Sequence, residues 1–235
     1  MQPRQKNMAA ITRYRIQSLV KRPWVPYVFP FIGFMVLTEA ARYFPAEAHF
    51  LYIIKTFMVG ALLWFWRHAY APDLALKLTP SGYLAAVAVG LMVLAAWILP
   101  EKILPQLGID AAFNPNFFNW PPIAVWALMA VRLAGATIVV PVMEELFWRS
   151  FLLRYVINPD FSKIALGTFS WLSFAVVVVL FGIEHHRLIQ GMIAGAFYTA
   201  LVIRQKSLRG CILAHGVTNL GLGVYVIATQ QWIFW

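Results

Sequence analysis

The sequence predicts an all-α protein, a polytopic membrane helical bundle of seven or eight transmembrane helices. Three observations carry that expectation. The 235 residues are 61% apolar and 12% charged, about half the charge usage of soluble domains, where roughly 25% is ordinary. Mean hydropathy is +0.71. The apolar residues fall in runs near the length of about 20 that crosses a hydrocarbon core, and the charges gather at the ends of those runs. The net charge of +10 is therefore read as membrane patterning rather than as a nucleic-acid footprint.

Residues 1–23 hold Arg4, Lys6, Arg13, Arg15, Lys21 and Arg22 and no acid. Ile11, Ile16, Leu19 and Val20 predict a short helix lying on the membrane surface. A basic start before an apolar run also fits a signal peptide. The small-residue cleavage pattern is poor, so an uncleaved anchor is expected. Spans are expected near 24–41, 49–66 and 82–99. The connection 100–119 is rich in Pro and Asn. The next apolar run, 121–157, is too long for one upright span, and Pro141 is expected to kink or break it because proline cannot donate to the helix ladder. Three more spans follow near 165–185, 188–203 and 208–229. The chain is thus divided into 1–119, a basic segment with three helices, and 120–235, where the polar motifs lie.

Charge asymmetry orients the seven-span arrangement. The inner segments hold the six N-terminal charges with Arg67, Lys77, Arg149, Arg154, Lys163, Arg204, Lys206 and Arg209; the outer ones hold Arg42, Lys102 and Arg187. This places the N-terminus in the cytoplasm and the C-terminus outside. Lys55 and Arg132 fall inside spans and are expected to snorkel or to pair with acids. Gly191, Gly195 and Thr199, spaced by four, give a face for close helix packing. The single cysteine, Cys211, excludes an internal disulfide and reads as a packing residue.

The chemistry concentrates in the second half. Residues 141–149 read Pro-Val-Met-Glu-Glu-Leu-Phe-Trp-Arg. Hydrocarbon does not solvate carboxylates, so an ionisable residue at this depth is a functional hypothesis by default. On a helix Glu145 and Arg149 lie four apart and pair, which leaves Glu144, about 100° round the helix, for another role. His185 closes Phe181-Gly-Ile-Glu-His, and His215 and Asn219 share a face one turn apart. Glu184 and His186 read as membrane-edge residues. Convergence on one hydrated cavity is the economical account of so many polar groups on three spans.

Glu144 and His185 together can activate a water, with the carboxylate as general base. His215 and Asn219 can donate to a developing oxyanion. Base, water and oxyanion donors add up to hydrolysis of an acyl bond. Two histidines and a glutamate can also hold a metal, but no His-Glu-x-x-His pair is present. A catalytic metal is disfavoured and no cofactor is expected. The rival reading is a transporter or interaction protein that keeps the polar cluster for binding, for which oxyanion donors have no use.

These residues resemble the CAAX prenyl protease and bacteriocin-processing family of glutamate intramembrane proteases. The pattern is carried by Glu144-Glu145-x-x-x-Arg149, Phe181-x-x-x-His185 and His215-x-x-x-Asn219, in that order. The size and layout are also similar to a bacterial branch associated with exosortase systems. The resemblance implies an intramembrane endopeptidase core over 120–235 with Glu144 as base, His185 as its helper and His215 and Asn219 as oxyanion donors. Glu145 and Arg149 are supporting residues. The implied partners are the lipid bilayer and a membrane-anchored protein or peptide substrate, with no nucleic acid. The implied location is a bacterial inner membrane. Two departures stand out: Trp148 before the Arg, and Ser150 where Gly is common. The seven-span arrangement also sets His185 near the outer end and His215 two turns from the inner end, about 10 Å or more apart in depth. A tilted helix, a short span or a dipping turn is needed to bring them together.

Overall fold

The computed structural model describes residues 22–101, 103–104, 113–115 and 120–235. The expected surface helix at 1–23 lies outside them except for its last two residues, as does most of the 100–119 connection. Among the described residues there is no strand. Among the described residues seven helices make the fold: α1 Val25–Tyr43, α2 Ala48–Phe65, α3 Pro80–Ile98, α4 Pro122–Tyr155, α5 Trp171–Glu184, α6 Leu188–Gln205 and α7 Leu208–Thr229. The all-helical bundle is as the composition implies.

Local chemistry sets the ends. Pro80 and Pro122 open α3 and α4, where the missing N–H has no ladder partner to lose. The Thr79 hydroxyl accepts from Gly82 N at 3.2 Å, capping α3. Lys206 and Gln230 adopt left-handed backbone, φ 54° and 58°, and stop α6 and α7.

Helix α4 decides against one of the two expected effects of Pro141, a break. Pro141 does not break it; the helix is continuous for 34 residues. It absorbs the proline by widening. Residues Gly135–Val139 and Leu146–Leu152 are π-helical turns on either side of the Pro141-Glu144-Glu145 stretch. Such turns are frequent at functional sites. The expected span at 165–185 is also shorter than predicted. Helix α5 begins only at Trp171 and its 14 residues reach about 21 Å.

Helices α3, α4 and α7, and α2 with its preceding turn, are each long and apolar enough to cross a membrane. The outward surface is apolar: Ile32, Phe57, Leu84, Trp126, Leu172 and Val224 are all exposed. Lipid is the solvent that tolerates such a belt, and the chain is an integral membrane protein. Inside, Val59, Ala86, Met143, Leu146, Val177, Phe181 and Ala214 form one core. Helices α3 and α7 press together at Gly90, where a Cβ would meet the Ala214 carbonyl at 2.5 Å.

The two ends of the bundle differ. At one end the Ser207 hydroxyl donates to Leu76 O (2.9 Å), Arg209 to Leu74 O (2.6 Å) and Gln205 to Gly82 O (3.0 Å). At the other, Arg187 makes a two-point ion pair with Glu101 at 2.7 and 2.6 Å, and Arg42 meets His186 at 2.8 Å. Arg149 belongs to neither end. It is fully buried in the core, so it drops out of the charges that flank the membrane. Lys55 does not snorkel and its partner is not an acid. It donates to the Thr38 hydroxyl at 2.8 Å and lies 4.3 Å from the Phe34 ring centroid.

Candidate active site

Glu145 is the centre of the buried polar cluster. Its Oε1 accepts from Arg149 Nη1 at 3.1 Å, and both side chains are 0% exposed. The same oxygen lies 2.9 Å from His215 Nδ1. A carboxylate paired with an arginine accepts, so Nδ1 carries the hydrogen and Nε2 is the His215 nitrogen left for other partners. The guanidinium also faces the rings of Phe181 and Tyr198, at 4.2 and 5.3 Å, which supports a cation in a dry site. The spacing of four along a helix is what lets Glu145 and Arg149 meet.

Glu144 points elsewhere. It is buried, and its Oε2 has no hydrogen-bond partner among the described residues. It lines a cavity of about 100 Å³ with His185, His215 and Asn219. All four residues singled out in the sequence therefore reach one space, from α4, the α5–α6 turn and α7. That volume holds several waters.

The difference in depth disappears for two reasons. Helix α5 is short. The His185 ring also folds back along it, its Nδ1 lying 2.7 Å from Phe181 O. A carbonyl only accepts, so Nδ1 is protonated and Nε2 is the other nitrogen. Phe181 separates the two histidines, with ring centroids 4.7 Å from His185 and 6.4 Å from His215. The small face of α6 makes this turn tight. A Cβ on Gly191 would stand 3.0 Å from Gly182 Cα and 3.2 Å from His185 Cβ.

Asn219 has a structural partner that follows from the π turn before Pro141. Within that turn Val140 N bonds Gly135 O, five residues back. The next carbonyl in that register, Ala136, would take its hydrogen from residue 141, and proline has none. Asn219 Nδ2 donates to Ala136 O at 2.8 Å, filling the place. Its amide has a second hydrogen for another acceptor.

Sequence reasoning missed several contributors. Tyr198 stacks on His215 at 5.0 Å and donates to Thr218 Oγ1 at 2.8 Å; a tyrosine in an apolar helix carries no local sign of this. Trp148 and Ser150, the two departures from the family pattern, both have polar partners. Trp148 Nε1 donates to Glu184 Oε2 at 3.0 Å, so Glu184 is tied to α4 and is not only an edge residue. The Ser150 hydroxyl donates to Asp73 Oδ2 at 2.6 Å, and Asp73 also pairs with Arg154 at 3.0 Å and accepts from Tyr27 at 2.8 Å. Among the described residues no group of three or more His, Cys, Asp or Glu side chains is arranged to hold a metal ion.

Comparison with known proteins gives one family match, and it falls on this cluster. Residues 124–221 match the family described as Rce1-like, type II CAAX prenyl endopeptidase Rce1-like. The match falls on α4 to α7, where the motifs lie, and bears out the CAAX-protease resemblance over those residues. It supports a protease kind of activity on a membrane-embedded protein substrate. No curated protein and no solved structure matches the chain.

Proposed function

We propose that this CAAX-protease-like chain is a glutamate intramembrane endopeptidase whose core spans 120–235. Glu144 removes a proton from a water, His185 Nε2 helps hold that water, and the hydroxide attacks the carbonyl carbon of a peptide bond. His215, held through Nδ1 by the Glu145 carboxylate, presents Nε2 as a donor to the oxygen that becomes negative. The second amide hydrogen of Asn219 donates to the same oxygen. Glu144 then returns the proton to the leaving amine. This scheme needs no metal and no covalent acyl-enzyme. Arg149 holds Glu145 in place, and Glu145 keeps His215 oriented.

The observation that supports this reading best is the meeting of Glu144, His185, His215 and Asn219 at one cavity, with one Glu144 oxygen unpartnered among the described residues. The proposed setting is a bacterial inner membrane with the N-terminus in the cytoplasm. The test is cleavage of a panel of membrane-anchored peptides by the purified protein, with Glu144→Gln as control. That variant keeps shape and removes the base, so turnover falls by about 10² or more while its thermal unfolding is unchanged. Equal turnover by the variant sinks the assignment of Glu144.

A further inference from the structure

Outside the inner cavity lies a larger chamber of about 630 Å³. The two share Trp97, Val140, Glu144, His185, Asn219 and Leu222 as walls, so the chamber is the approach to the candidate site. Its charge pattern is not one that the proposed hydrolysis requires. Lys55 lines it and is only 8% exposed. Its ammonium donates to the Thr38 hydroxyl and lies over the rings of Phe34 and Tyr52, at 4.3 and 5.0 Å. These partners are neutral, and no carboxylate of the described residues reaches it. Arg132 adds a second positive charge on the same wall, 4.5 Å from the same Tyr52 ring.

Two of the other cations of the chamber, Arg42 and Arg187, have carboxylate partners. Arg42 pairs with Glu39 at 3.3 Å, Arg187 pairs with Glu101, and Glu184 takes the Trp148 N–H. Among the described residues Lys55 has no carboxylate partner, in a protein whose surroundings are hydrocarbon. Such a charge is expensive unless something compensates it. Lys55 stands seven residues along α2 from its Ala48 end, about 10 Å below it. The same chamber wall continues from there to Glu144.

We propose that Lys55 is an anion subsite that takes a carboxylate of the peptide substrate close to the bond that is cut. The subsite rests on the endopeptidase reading for its purpose but not for its detection, because binding is measured without turnover. The carboxylate belongs either to an acidic side chain or to a free C-terminus.

The experiment is calorimetric titration of the full chain in dodecyl maltoside with four probes. These are N-dodecanoyl-glycine, its neutral analogue N-dodecanoyl-glycinamide, N-dodecanoyl-aspartic acid α-amide and dodecyl phosphate. One or both carboxylates bind at least about tenfold more tightly than the glycinamide, a modest demand on a buried charge pair. Tighter binding of the glycine probe identifies a terminal carboxylate, and of the aspartate probe a side-chain one. Lys55→Met removes the preference while keeping the unfolding temperature, and Lys55→Arg restores it. The preference persists in Glu144→Gln even though that variant turns nothing over, so failure of the subsite and failure of the protease reading are separate results. An equal affinity for carboxylate and amide in the parent protein overturns the proposal, as does a preference that survives Lys55→Met. Dodecyl phosphate bound more tightly than either carboxylate reassigns Lys55 to a lipid headgroup and overturns the substrate role.

Discussion

At the scale of the residue, one carboxylate organises the buried polar cluster. Glu145 Oε1 holds Arg149 and His215 at once, and neither Glu145 nor Arg149 has any exposure. Removing the guanidinium strands that carboxylate, which costs roughly 3–5 kcal/mol when a buried pair loses one partner. Arg149→Ala is therefore expected to lower the unfolding temperature in detergent as well as turnover, and Arg149→Lys to lose less of both. A fully stable but inactive Arg149→Ala protein would instead move Arg149 into the chemistry. How much of this was legible in the sequence differs by residue. The spacing of four announces Glu145 and Arg149, because a helix sets such residues one above the other. The bond from His215 to the same oxygen joins positions 70 apart, and no local pattern encodes it. Trp148 and Ser150 were visible only as departures from a motif; their partners, Glu184 and Asp73, lie on other elements.

At the scale of the element, the informative feature is the widened helix around Pro141. Hydropathy announces an apolar run, but partition into lipid does not depend on hydrogen-bond register, so a π turn leaves no mark in it. For the same reason hydropathy extends the expected span over 165–170, ahead of the helix start at Trp171. Gly167 there has φ 72° and its carbonyl accepts from Lys206 Nζ, which makes the segment a bend and shortens α5. The Asn219 bond to Ala136 O yields a separable prediction. Asn219→Ala leaves that carbonyl unsatisfied, at a cost of about 1–3 kcal/mol, and also removes one oxyanion donor, worth about 10²–10³ in turnover. Both unfolding and kcat are expected to fall, with KM nearly unchanged because the lost donor acts only in the transition state. Asn219→Asp separates the two states of the new side chain. Only the protonated acid donates; the ionised form sets a negative charge against a carbonyl and a developing oxyanion. Activity of Asn219→Asp is then highest at low pH and is lost as pH rises through the carboxyl pKa, and a flat pH–rate profile relative to the parent rejects the donor role. In α6, Gly191→Val drives a branched side chain into Gly182 and His185. Overpacking of that kind costs about 1–3 kcal/mol and displaces the His185 ring, so turnover falls further than the loss of stability accounts for.

At the scale of the whole molecule, the two ends of the bundle carry different charge, and the chamber reaches only one of them. Lys77, Lys163, Arg204, Lys206 and Arg209 belong to the end where the 66–79 and 156–170 connections lie. Glu39, Arg42, His186 and Arg187, which line the chamber, belong to the opposite end. If the basic end faces the cytoplasm, as the positive-inside rule has it, the chamber faces away from the cytoplasm, and a water-soluble portion of a substrate reaches Glu144 from the outside. Cysteine labelling of intact cells tests this directly. Ala46 and Ala165 are both small, exposed and outside helices α1 to α7, at opposite ends of the bundle. The native Cys211 is fully buried and is not expected to react. With a membrane-impermeant maleimide, Ala46→Cys is labelled in intact cells, whereas Ala165→Cys is labelled only after the membrane is opened. The reverse pattern turns the molecule over and makes the chamber cytoplasmic. The geometry of the site survives either result, since it depends on α4 to α7 packing against one another. What changes is the compartment that supplies the substrate.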